Sequence, residues 1–342
     1  MSADASLAPH GVLIVDKPAG PTSHDVVSRV RRALGTRAVG HAGTLDPMAT
    51  GVLVVLVGEA AKLSAYLTAD DKRYDATVRL GSETHTLDAE GEVTATAPVP
   101  PLTRDEVERA LLAFYGETQQ VAPIVSAIKR DGEALHKRAR RGEDVEAPVR
   151  TVTLHAAELL GVDVVAPGAS DGGAGSASDG ADGRTEIRLR LHVGKGFYVR
   201  SLARDLGRAL GTLGHLSALR RTASGALVVG PEAPLPTVDG ALLEAAARGD
   251  ARARAAVRAA LVPLTRACEA LPNVTLSEAG VRAARTGLAL TAEAFETGAL
   301  PEDPGAGRVV VARAPDTTPV ALVRPAGDGT FEVARGFVPV PA

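Results

Sequence analysis

The alternation of apolar and polar stretches lays out the elements of this chain from its first turn. GVLIVDK (11–17) reads as a strand, and SHDVVSRVRRALG (23–35) as a helix with Ser23 near its N-cap. A loop punctuated by Gly, Thr and Pro, GHAGTLDPMATG (40–51), precedes the buried-type strand VLVVLV and a helix from Glu59 to Thr68. KRYDATVRLG (72–81) is another strand, and Thr103 with Glu106 forms a capping box that opens a helix running to about Phe114. Further strands are expected near 149–160, 185–193 and 219–229, with a helix over about 200–210. Strands and helices mixed without a regular βαβ repeat predict an α+β sheet domain.

Two changes of character interrupt this pattern. Residues 166–184, APGASDGGAGSASDGADGR, have no apolar periodicity and read as a flexible surface insertion. After Val229 come two Ala/Arg-rich helices over about 237–261, then Pro272, then a short helix and several short strands. The expected division is therefore a catalytic-size domain over 1–271 and a small β-rich domain over 272–342.

Composition narrows the class. Hydrophobic residues make up 45% of the 342, enough for a sizeable core, whereas only 3% are aromatic, so each Tyr merits tracking. The single Cys268 excludes an internal disulfide and a multi-cysteine zinc site. MSADASLAPH has no leader pattern and the longest apolar run, Val52 to Val57, is too short to span a bilayer, so a cytoplasmic protein away from membranes is expected. A net charge of −3 does not itself point to nucleic acid, but binding needs only a local basic face. Residues 184–221 hold nine Lys/Arg against Glu186 and Asp205, a local +7, and 129–141 holds six basic against two acidic residues, a local +4. Such runs are solvated faces or phosphate contacts.

The loop at 40–51 concentrates the candidate chemistry. Gly40, Gly43 and Gly51 permit tight backbone, Pro47 fixes φ, and Asp46 stands at the tip. Asp46 reads either as a rigidly held reactive carboxylate or as an Asp accepting turn hydrogen bonds before a Pro. His41 could be a base, a metal ligand or a core histidine, and the pair lacks a third ligand at metal spacing.

Five segments, GVLIVDKPAGPTSHD (11–25), GHAGTLDPMATGVL (40–53), DKRYDATVRLG (71–81), KGFYVRSLARDLG (195–207) and LRR (219–221), resemble in order and spacing the bacterial tRNA pseudouridine-55 synthase family. The resemblance implies a pseudouridine-synthase domain with a mixed, mainly antiparallel sheet flanked by helices, and no metal or organic cofactor. It places Asp46 on the catalytic aspartate, Arg200 on its paired arginine, and His41 on the histidine that occupies the place of the extruded uridine. Tyr74 falls on the tyrosine that stacks on the base, Tyr198 and Leu219 on further pocket positions, and Lys17 on a lysine near the active-site loop. Read as plain structure, Tyr74 and Tyr198 are strand filler, Arg200 is a helix-terminal ion pair, and Asp-Lys-Pro at 16–18 is a β-turn.

The stretch matching 120–150 implies an insertion clamping the RNA, presenting Lys129, His136, Arg140 and Arg141, with Arg220 a further RNA contact. Residues 272–342 are similar to a PUA-type RNA-binding domain. The expected activity is isomerisation of uridine in the tRNA T-arm by a monomer that needs no protein partner. The alternative is a non-catalytic tRNA-binding or folding chaperone, which would have no use for a buried acid. Asp46 could attack the sugar carbon, add to the base or remove a sugar proton, and Tyr198 could help remove the C5 proton.

Overall fold

The computed structural model describes residues 9–125, 129–130, 133–134, 141, 147–165, 184–231, 233–302, 309–327 and 329–338. In chain order the strands of the first half are β1 (Gly11–Lys17), β2 (Val39–Ala42), β3 (Thr50–Val57), β4 (Lys72–Leu80), β5 (Ser82–Thr84), β6 (Val93–Thr96) and β7 (Gly116–Val121). There follow β8 (Lys129–Arg130), β9 (Glu133–Ala134), β10 (Val149–Val165), β11 (Arg184–Val193), β12 (Gly214–Ser224), β13 (Leu227–Val228) and β14 (Thr237–Asp239). The last four are β15 (Asn273–Thr275), β16 (Val310–Arg313), β17 (Pro319–Pro325) and β18 (Phe331–Gly336). The helices are α1 (Ser23–Leu34), α2 (Ser64–Ala69), α3 (Arg104–Leu112), α4 (Val199–Ala209), α5 (Gly240–Arg248), α6 (Ala251–Ala259), α7 (Leu264–Ala267) and α8 (Glu278–Thr286).

These elements gather into two compact units, one of Met1–Leu45, Val52–Thr68 and Ala226–Ala342, the other of Asp46–Gly51 and Ala69–Gly225. In the first unit β1 runs parallel to β14, Ile14 opposite Thr237, and β2 pairs antiparallel with β3, Val39 opposite Val57. Helix α1 is capped by Thr22, whose hydroxyl accepts from the Asp25 amide while the Asp25 carboxylate takes the Thr22 N–H. Ser23, expected near the cap, directly follows it and is buried: its hydroxyl donates to Leu45 O (3.0 Å) and accepts from Leu45 N (2.9 Å). Of the helix expected from Glu59 to Thr68, the first part belongs to a 3₁₀ turn, Gly58–Leu63, before α2. There His10 Nδ1 accepts the Glu59 amide and the Glu59 carboxylate is held by Lys62 and the Val338 amide, tertiary bonds that fix this turn locally.

The C-terminal elements form their own four-stranded sheet, β15-β16-β17-β18. Its inner face holds a core of Leu276, Leu290, Phe295, Val323 and Phe331, with the two phenyl rings edge to face at 5.8 Å. Val311, Leu322 and Phe337 belong to a second core cluster shared with Val12, Ile14, Val54 and Leu56. The same unit thus has two cores, and residues near both ends of the chain share one of them.

In the second unit the strand order is β12-β4-β11-β10-β7, and each of these pairs is antiparallel. Strand β3 starts in this unit, where Thr50 and Gly51 lie parallel to Arg220 and Arg221 of β12. Along β4, Tyr74, Ala76 and Val78 are buried while the intervening Arg73, Asp75 and Thr77 are not, the period-two pattern of a sheet with one covered face. Helix α4 is closely packed, burying Val199, Leu202, Ala203 and Leu206. The architecture is α+β with a mixed, mainly antiparallel sheet, as expected.

Candidate active site

Asp46 opens a tight turn closed by the Ala49 amide donating to Asp46 O at 3.1 Å. Asp at the first position and Pro at the second are the residues such a turn favours. Gly51 ends the loop at φ +96°, and a Cβ there would stand 2.1 Å from Arg221 O, so only glycine lets the loop lie against β12.

The Asp46 side chain faces Arg200, the second residue of α4. Arg200 Nη2 donates to Asp46 Oδ1 at 3.1 Å, and Nε lies 3.0 Å from Oδ2, so the guanidinium edge grips both carboxylate oxygens. The other donors are also used: Nη1 to Thr86 O (2.9 Å), Nη2 to Val125 O (3.1 Å), with Nη1 3.4 Å from Asp88 Oδ2. The side chain of Arg200 is 6% exposed and that of Asp88 4%, whereas Asp46 is 33% exposed. One buried cation therefore stands between a buried carboxylate and one that reaches solvent. A cation in a helix's first turn opposes the helix dipole, and α4 has no acid of its own there, so the two loop carboxylates supply the compensation.

The start of α4 is itself fastened to β7. Gln120 clamps the Tyr198 backbone, Nε2 donating to Tyr198 O (3.0 Å) and Oε1 accepting from Tyr198 N (2.9 Å). Ser201 Oγ donates to Val121 O at 2.8 Å. Arg200 is thus held at both its backbone and its head group, the condition for presenting a carboxylate in one orientation.

Tyr74 lies opposite Arg221 of β12 and Leu191 of β11, on the covered face of the sheet. Leu219, opposite Ala76, is its diagonal neighbour on that face. Arg221 is 1% exposed, a buried cation beside Tyr74 that the sequence did not single out. Lys72, at the start of β4, is buried as well, and desolvation together with the Arg221 charge pulls its ammonium down to about 8. Lys17 and His41 belong to the first unit; Lys17 is buried, its Nζ donating to Pro18 O at 2.9 Å, and His41 is half-buried, its O accepting from Ser64 Oγ at 3.5 Å.

Asp88 is the residue that sequence reasoning missed. It sits in a Thr-Leu-Asp-Ala-Glu-Gly turn, where an acid ordinarily binds backbone amides. Its Oδ1 does that, accepting from Thr86 Oγ1 (2.6 Å) and Glu90 N (3.1 Å), which leaves Oδ2 for Arg200.

Most of the cations behind the +7 of residues 184–221 have acidic partners, Glu186 and Asp205 within the stretch and the others outside it. Arg184 is ion-paired with Glu186, Arg188 with Asp163, and Arg190 with Asp75 and Glu158. Arg200 meets Asp46 and Asp88, Arg204 meets Asp205, and Arg208 meets Glu83. Charge summed along one stretch omits acids on adjacent strands. Arg220 is half-buried on β12 and Arg141 is exposed, while Arg140, His136 and the Lys129 side chain lie outside the described residues. Most of the 166–184 insertion lies outside them too. Among the described residues no helix is long and apolar enough to cross a membrane.

Residues 31–199 match the N-terminal domain of the TruB family of pseudouridylate synthases, and residues 200–269 match the tRNA pseudouridylate synthase B C-terminal domain. The chain is 50% identical over 225 residues to the tRNA pseudouridine synthase B of Thermobifida fusca, covering 66% of this chain and 73% of that protein. It is 46% identical over 227 residues to that of Corynebacterium jeikeium, covering 66% and 69%. Among solved structures, a chain of a Cbf5-Nop10-Gar1 complex aligns with a TM-score of 0.68 at 25% identity, covering 96% of this chain and 85% of that one. A chain of an H/ACA RNP bound to a substrate RNA aligns at 0.66 and 24%, covering 96% and 86%, and supports the fold. The segments that resemble the family and the family match coincide on the part of the chain that holds Asp46 and Arg200, and the chain belongs to the TruB family of bacterial tRNA pseudouridine synthases.

Proposed function

We propose that this enzyme isomerises the uridine at position 55 in the T-arm of tRNA, with Asp46 as the catalytic carboxylate. The observation that carries the reading is the two-oxygen grip of Arg200 on Asp46. The reaction breaks the N-glycosidic bond, turns the uracil and joins its C5 to the same sugar carbon. A carboxylate that attacks the sugar, adds to the base or removes a sugar proton has to stay ionised in a closing pocket, which desolvation opposes. The always-protonated guanidinium offsets that penalty and fixes the angle of approach.

The uracil leaves its stack before it reacts, at a cost of a few kcal/mol. Tyr74 offers a ring face, and base stacking on such a face contributes ~1–3 kcal/mol. Leu219 and Tyr198 line the base pocket, Tyr198 being also a candidate to help remove the C5 proton. His41 takes the place of the extruded uridine in the RNA, and Lys17 is a further substrate-binding residue. Lys129, Arg140, Arg141 and Arg220 contact the RNA, the 120–150 segment acting as a clamp and 272–342 as a PUA-like RNA-binding domain. The enzyme works in the cytoplasm as a monomer, without a protein partner, and its chemistry uses no cofactor.

Asp46→Asn keeps size and hydrogen bonding but removes the charge. It is expected to form no pseudouridine at position 55 of a tRNA transcript while binding that tRNA within a few-fold of wild type. Pseudouridine above a trace from this variant would overturn the assignment.

A further inference from the structure

Three potential metal ligands that no function described above uses meet in the second unit. Asp71 lies just before β4, His155 on β10 and His192 on β11, contributions from three neighbouring strands. The Nε2 atoms of both histidines lie 3.4 Å from the same oxygen, Asp71 Oδ2, and the three ligand atoms all fall within 4.8 Å of one another. The two imidazole rings have centroids 4.8 Å apart and are tilted by 44°.

We propose that Asp71, His155 and His192 bind one divalent transition-metal cation of the zinc class, clipping β4, β11 and β10 together. The spacing of the two His–Asp contacts is that of a coordination edge. Ligands about 2.0–2.1 Å from a tetrahedral zinc stand roughly 3.3 Å apart, close to the two contacts observed. Two imidazoles and one carboxylate favour zinc, copper or nickel over magnesium or calcium, which prefer oxygen alone.

The local backbone brings the ligands together. Leu154 pairs with Val193 and Ala156 with His192, so His155 is the extra residue of a β-bulge, a device that re-aims a side chain. The neighbouring Gly194, whose amide bonds to Thr153 O, lies beside His155: a Cβ there would stand 3.4 Å from Nε2. Asp71 O accepts the Gly225 amide at 2.9 Å, fixing the carboxylate's stem. Arg73 is opposite His192 in the sheet and presents an opposing charge on the same face. The cation is therefore held by its ligands and not by a general acidic field. All three side chains are a third to a half exposed, so the ion can enter from solvent and a fourth position stays open to water.

The test uses the full chain, stripped of metal and titrated with Zn²⁺, Co²⁺ and Mg²⁺ by calorimetry, with Co²⁺ absorption reporting geometry and thermal melts reporting stability. One Zn²⁺ per chain is expected, with the visible bands of low-coordinate Co²⁺ and a rise in Tm that Mg²⁺ does not produce. His155→Ala and His192→Gln should each weaken Zn²⁺ binding more than tenfold, given that even outer partners of ligands contribute ten- to a hundredfold. Both variants should keep the wild-type circular dichroism and pseudouridine formation. No Zn²⁺ binding by wild type, or equal binding by wild type and the His155→Ala/His192→Gln double variant, would overturn the proposal. In the first case the trio is only a set of surface His–Asp contacts, and in the second the zinc is held elsewhere.

Discussion

Arg200→Lys separates charge from geometry at the proposed catalytic pair. The substitution keeps the positive charge but replaces five fixed donors by three mobile ones. In wild type those donors reach both oxygens of Asp46 (3.1 and 3.0 Å), Thr86 O (2.9 Å), Val125 O (3.1 Å) and Asp88 (3.4 Å). A lysine cannot satisfy all five, and the two-oxygen grip on Asp46 is the first to go. Hydrogen bonds to a charged group contribute about 1.5–3 kcal/mol. At about 1.36 kcal/mol per decade of rate, losing one from the reacting carboxylate slows isomerisation roughly 10- to 160-fold. The assay is single turnover with enzyme in excess over a tRNA labelled at uracil C5, following loss of that hydrogen, with tRNA affinity measured separately. Arg200→Ala should be slower still, since it leaves a buried Asp88 and a half-covered Asp46 without their cation. An Arg200→Lys rate within twofold of wild type, or a loss confined to affinity, would refute the orientation argument.

Three further outcomes follow from the geometry. Asp88→Asn keeps the bonds from Thr86 and Glu90 but removes the second negative partner of Arg200, so turnover should fall by about fivefold, ~1 kcal/mol, with affinity unchanged; wild-type turnover in this variant would make Asp88 a turn residue only. Gly51→Ala should lower stability by more than the ~1–2 kcal/mol of a left-handed residue, because its Cβ meets Arg221 O at 2.1 Å, and an unchanged urea midpoint would mean that the loop can move off β12. Lys72 titrates at about 8 when folded and 10.5 ordinarily, so the fold bears its desolvation below pH 8 and is relieved between 8 and 10.5, where the unfolded chain holds more protons. Lys72→Met should therefore be more stable than wild type below pH 8, with the advantage shrinking across that window, and a pH-independent difference in melts would contradict the burial argument.

How much was legible in the sequence differed with range. Local signals were clear: the capping box at Thr103, the apolar run of β3 and the Gly/Pro frame around Asp46 all correspond to observed elements. The four-residue β2 was hidden inside a loop read as irregular, since Val-Gly-His-Ala has little strand propensity of its own and takes its register from β3. Arg200 could be matched to Asp46 only by resemblance, because nothing in the spacing of either residue points to the other. Asp88 was illegible for a different reason: its turn explains it fully until the third dimension shows its second oxygen. The Asp71, His155 and His192 trio shared no sequence pattern, because each ligand stands alone in the chain with no second ligand at a short metal-binding spacing.

The separation of 154 positions between Asp46 and Arg200 also has a meaning in time. At roughly 5–20 residues per second, a ribosome adds the arginine about 8–30 s after the aspartate. During that interval the nascent chain carries the acid but not the cation proposed to orient it, and the unit around them cannot close until the segment carrying β11, α4 and β12 has emerged. On the proposed mechanism, a chain that ends between the GHAGTLDPMATG loop and residue 200 would be inert: it carries the acid without the cation that gives it a fixed direction.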